Sequence, residues 1–230
     1  GIFASPFTRL TVTDTSITST NSNGIFLSQL SEFNGTRLSI NSAAIGIRGS
    51  ADGVGAASSF GYMRLTDSTI NSVGYGIELA PQQSGQAKDK LYLENVSITT
   101  SGNAAYGIFS KYSKSTINDS IISTSGVSAR GIHAEVAGSL DINNTKITTT
   151  GASAYGLSLY QVSAQLRNGS TLSTTGANAH LLFASTGASI NAQDVRGTAS
   201  GANASALVLT VNNFTTSPTL PPTGNDYTNT

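Results

Sequence analysis

Side chains able to do chemistry are few in this 230-residue chain, which has 12 acidic and 12 basic residues, two histidines and no cysteine. A glycosidase needs two carboxylates at a fixed separation across the scissile bond, and a calcium-dependent lyase needs several acidic oxygens around one ion. Asp14, Asp67 and Asp119 share a repeat position, but Asn95 separates the last two, and Glu78, Glu94 and Glu135 fall in unrelated registers. A serine nucleophile needs a base and an orienting acid. Only His133 and His180 are available as bases, and neither sits beside a GxSxG, GxGxxG or phosphate-loop pattern. Both histidines read as exposed strand residues. The residues assign no catalytic group, no cofactor and no metal ligand, and the chain reads as non-enzymatic.

Two other sets of side chains recur. Thr99 and Ser101, Ser123 and Ser125, Thr148 and Thr150, and Ser173 and Thr175 form two hydroxyl columns. Uniform flat threonine arrays are what an ice-binding solenoid uses, whereas these columns mix Ser with Thr and meet a glycine turn at once. Ordinary outward-facing strand hydroxyls are the preferred reading. The second set is aromatic and basic: Phe26, Phe109, His133 and Phe183 follow one apolar position, and Tyr75, Tyr106, Arg130 and Tyr155 precede it across a glycine. Alternation along a strand points the first group outward if the apolar residue points in. The set reads either as a binding strip for sugars or protein or as rings that only cover a corner with their hydroxyls in water.

The element that must position these groups is a repeat. From Thr100 onward TSGNAAYGI, TSGVSARGI, TTGASAYGL, TTGANAHLL and ASGANASAL recur, with first glycines at 102, 126, 151, 176 and 201. Looser copies lie upstream, so that Ile25, Ile47, Ile77, Ile108, Ile132, Leu157, Leu182 and Leu207 form one column. A second column, Val12, Leu65, Leu93, Ile117 and Ile142, is followed two residues later by Asp14, Asp67, Asn95, Asp119 and Asn144. Short alternating apolar runs between Gly, Asn and Asp are strand-and-turn chemistry. One unit cannot bury its own apolar face, so units must stack with their columns aligned. The pattern predicts an all-β chain, a right-handed parallel β-helix of about eight coils of roughly 25 residues and about 40 Å long. The Asx column marks a stacked turn, because short amides and carboxylates tolerate left-handed backbone and bond locally.

Residues 1–211 form a single domain on this reading, with loop insertions near 48–62 and 80–90 that lengthen two coils to 30 and 31 residues. Insertions on one face of a solenoid are often its binding elements. The segment ASINAQDVRGTAS lacks a clean strand pattern, and residues 212–230 read as an extended tail or linker. Net charge is zero, with no basic footprint for nucleic acid, and no apolar run of about 18 residues inserts this stretch directly into a membrane.

Coils such as LDINNTKITTTGASAYGLSL and LYLENVSITTSGNAAYGIFS, within residues 8–211, resemble the β-helical passenger regions of classical monomeric autotransporters of Gram-negative bacteria, of the pertactin type. The resemblance implies a cell-surface or secreted location and delivery through an outer-membrane barrel of a parent protein. It implies a non-enzymatic adhesin or interaction module, monomeric in isolation, whose partner is a host extracellular protein, a glycan or a neighbouring bacterial cell. A carbohydrate-active β-helix enzyme, an ice-binding solenoid and a structural stalk are the alternatives.

Overall fold

The computed structural model describes residues 1–28, 31–51, 61–81, 89–210 and 226–229. Among these the regular elements are all strands, and their pairings are parallel. Each coil contributes one strand to each of three ladders, and the chain climbs one rung per coil. This is a parallel β-helix, as the repeat predicts.

The first ladder places Ile25, Ile47, Ile77, Ile108, Ile132, Leu157, Leu182 and Leu207 in direct register, seven full turns, with Ile2 stacked one rung earlier. From Ile25 to Leu157 these side chains are fully buried. The second ladder aligns Val12, Gly35, Leu65, Leu93, Ile117, Ile142, Leu166 and Ala192. The third aligns Ile17, Ile40, Ile70, Ile98, Ile122, Ile147 and Leu172, then Gly197. Three apolar columns meeting along one axis make the core, and each buried Ile or Leu contributes roughly 1.5–3 kcal/mol relative to exposure.

The corner between the second and third ladders is the Asx column. Asp14, Asp67, Asn95, Asp119 and Asn144 all have φ between 44 and 53°, as do Asp194 and, within a few degrees, Asn168. Short polar side chains accept this left-handed backbone where most residues resist it. They also bond along the stack: Asn95 Nδ2 donates to Asp67 Oδ1 and Asn144 Nδ2 to Asp119 Oδ1, both at 2.6 Å. Arg37 takes the corner in the second coil at φ 51°. Its guanidinium grips the Asp14 carboxylate with Nε at 2.6 Å and Nη2 at 2.8 Å, which holds that carboxyl below the usual carboxylate range.

A different corner, between the third and first ladders, is built on glycine. A Cβ at Gly126, Gly151, Gly176 or Gly201 would overlap the carbonyl oxygen of the glycine one coil earlier. Here the repeat glycine answers to close backbone approach. The turn then closes with Ala129 N bonded to Gly126 O and Ala154 N to Gly151 O, at 3.2 and 3.3 Å.

Segment 188–199 is regular after all. Ser189–Ala192 and Val195–Ala199 are full rungs, with Ala192 and Gly197 standing where other coils carry large apolar residues. Asp226–Asn229 pairs in parallel with Val195–Ala199, while 211–225 lie outside the described residues. Of the two expected insertions, 52–60 and 82–88 lie outside them as well.

A candidate binding flank

Outward positions of the first ladder read Phe3, Phe26, Arg48, Glu78, Phe109, His133, Ser158, Phe183 and Val208 in register. Beside it, across a glycine, stand Tyr75, Tyr106, Arg130 and Tyr155, and across Leu181 stands His180. The rung spacing of about 4.8 Å is close to ring-stacking distance, so like residues on successive coils must stack.

They do. The Tyr75 and Tyr106 ring centroids lie 4.9 Å apart with the rings nearly parallel, at 7°. Phe109 packs on the His133 ring at 5.6 Å, and Tyr106 meets that imidazole edge-on at 5.3 Å. Arg130 is set between two tyrosines, its guanidinium carbon 5.2 Å from the Tyr106 centroid and 5.4 Å from that of Tyr155. Tyr155 in turn stacks on His180 and Phe183, at 5.3 and 5.2 Å. Tyr75, Tyr106, Phe109, Arg130, Tyr155 and Phe183 therefore form one continuous run, packed over His133. Phe26 stands apart from it: it stacks on Phe3 at 5.5 Å, and the Arg48–Glu78 ion pair at 3.1 Å occupies the two rungs between.

His133 corrects an expectation. It is buried, 7% exposed, because Phe109, Tyr106 and Arg130 close over it. Its Nε2 lies 2.7 Å from Glu135 Oε1, and its Nδ1 lies 2.9 Å from Arg130 Nη1 and 3.2 Å from the Ser158 carbonyl oxygen. Burial first, and the Arg130 charge second, push its pKa below the ordinary histidine value, with Glu135 opposing. His180 is lowered by burial alone, and burial raises the Tyr75 phenol. The Ser158 hydroxyl accepts from Arg130 Nη1 at 3.1 Å. Arg130, His133, Glu135 and Ser158 thus hold one another in place. Glu135 has a role that its isolated register concealed; its spacing of two from His133, on the same face of one strand, is the signal that finds it.

Of the two hydroxyl columns, one falls on the third ladder and the other, Ser101, Ser125, Thr150 and Thr175, directly follows its strands. Thr99, Ser123, Thr148 and Ser173 are in register and point outward. No group of three or more His, Cys, Asp or Glu side chains able to hold a metal ion occurs among the described residues. No protein-family model matches the chain, and no curated protein matches it.

Proposed function

We propose that this chain is a non-enzymatic, surface-displayed interaction module, an adhesin rod of the autotransporter-passenger kind, that attaches to host protein, glycan or a neighbouring bacterial cell through the flank from Tyr75 to Phe183. One observation carries the reading: a continuous run of stacked tyrosine, phenylalanine and arginine on an exterior rich in Ser, Thr and Asn. Aromatic residues and arginine dominate the energetics of protein interfaces. Rings locked by stacking also lose little side-chain entropy when a partner arrives. The non-enzymatic part of the reading is supported by the engagement of His133, Glu135, Ser158 and Arg130 with one another.

The test is attachment of beads coated with the chain to epithelial cells and to extracellular matrix. Phe109→Ser with Phe183→Ser lowers binding about tenfold or more while the far-ultraviolet circular dichroism stays that of the wild type. Unchanged attachment by the folded double variant contradicts the flank. Turnover of any polysaccharide, with or without calcium, would contradict the non-enzymatic reading.

A further inference from the structure

The corner between the third and first ladders changes length partway along the rod. Three residues, 43–45 and 73–75, bridge it in the second and third coils, whereas six, 101–106, bridge it in the fourth and 125–130 in the fifth. The longer corners bulge outward as Gly-x-x-Ala turns, with Ala104 and Ser128 in left-handed backbone. Where short corners meet long ones there is a step. Below the step lies a recess of about 540 Å³, floored by Ala43, Ala44, Val73 and Gly74 and walled by 102–105 of the fourth coil. A second shallow depression of about 440 Å³ shares Ala43 and Val73 with it and continues along the third ladder past Asn41, Asn71 and Thr99.

Three properties of this trough select its occupant. Among the described residues lining it no side chain is charged, so it offers nothing to an acidic or basic ligand. Its floor is apolar, and Val73 there is 51% exposed, while amides and hydroxyls line its length. Finally, the tyrosine stack ends in it: Tyr106 stacks on one face of Tyr75, and the equivalent position on the preceding coil is Ile45, which also lines the recess. Tyr75, at the end of the tyrosine stack, lines the trough next to polar groups that bond hydroxyls. We infer that this trough is a binding site for a neutral oligosaccharide, whose apolar ring face packs on Tyr75 and Val73 and whose hydroxyls bond the asparagine and serine or threonine side chains. Four rungs, from Thr18 to Thr99, give it a length of about 14 Å, that of a short oligosaccharide.

The site adds to the flank and does not depend on it, because its test uses sugars and trough variants alone. Maltotetraose, cellotetraose, laminaritetraose and chitotetraose are titrated into the isotope-labelled chain and followed by amide chemical shifts. At least one shifts the signals of Val73, Gly74 and residues 102–105 saturably, and Val73→Glu and Ala44→Glu each weaken it about tenfold or more, while Tyr160→Ala, at an exposed ring away from both the trough and the flank, leaves it unchanged. Both substituted positions are surface-facing, and a retained thermal midpoint confirms folding; Tyr75→Ala provides a third, charge-free variant. Silence from all four sugars at about 10 mM, shifts mapping elsewhere, or equal binding of an acidic sugar such as sialyllactose would overturn the assignment.

Discussion

Gly151→Ala isolates the reason for the repeat glycine. A Cβ at position 151 would lie inside contact distance of the Gly126 carbonyl oxygen and carbon, and both are main chain. No side chain can swing away, so relief requires prising two coils apart at the corner, where Ala154 N bonds Gly151 O and Thr150 N bonds Thr124 O. Overpacking costs typically 1–3 kcal/mol, and a backbone wall places this site at the upper end, about 3 kcal/mol. For a domain of this size 1 kcal/mol moves the thermal midpoint by about 2–4 °C, so a fall of roughly 6–12 °C is expected by circular dichroism. Gly169→Ala is the comparison. That glycine has φ 78° and open space around it, its nearest neighbour being Asn144 Oδ1 at 4.0 Å, so the penalty is conformational, about 1–2 kcal/mol. Gly169→Asn recovers most of it, since Asn tolerates the left-handed region. If Gly151→Ala proves milder than Gly169→Ala, or if Gly151→Asn rescues, the close-approach argument is wrong.

Replacing Asn144 by Val puts a branched side chain at φ 44° and removes the bond to Asp119; a loss of about 2–3 kcal/mol by urea unfolding is expected, and no loss would refute the role of the Asx corner. Arg130→Ala removes two guanidinium–ring contacts and should cost about 1–2 kcal/mol, with Arg130→Lys restoring only part because an ammonium does not stack; full rescue by Lys would show the charge alone to matter. His133 and His180 both have folded-state pKa values below the ordinary one, so as pH falls below about 6.5 the unfolded chain takes up protons first. Stability present above that pH is lost as pH drops through the folded-state values. His133→Gln should flatten the dependence of the thermal midpoint on pH, and a midpoint that rises between pH 7 and 5 would refute the sign.

The fold was legible because stacking repeats a residue's environment, so that one inward position writes itself as the column from Ile25 to Leu207. Columns faded where another group took over the space. Gly35 breaks the second column because Phe33, Leu38 and Leu65 fill its place, and Leu166 was masked by the extra residue Gly169 before Leu172. At the flank, alternation gave the correct outward register. It did not give burial, which depends on what neighbouring coils lay across a side chain: His133 and Phe109 share a column, yet His133 is enclosed by residues from coils on either side. The trough follows from corner lengths of three and six residues, visible in SVGYG against SGNAAYG, but only the stacked structure turns a length difference into a step.

The central claim is that recognition belongs to the stacked flank, and the most direct measurement is hydroxyl-radical footprinting of the rod while it is attached to the cells or matrix it binds. Tyr106, Phe109, Tyr155 and Phe183 should lose reactivity on attachment, while Tyr62, Tyr92 and Tyr160, off the flank, keep theirs. Equal oxidation of the flank rings in the attached and free states, or protection centred on Tyr92, would contradict the account.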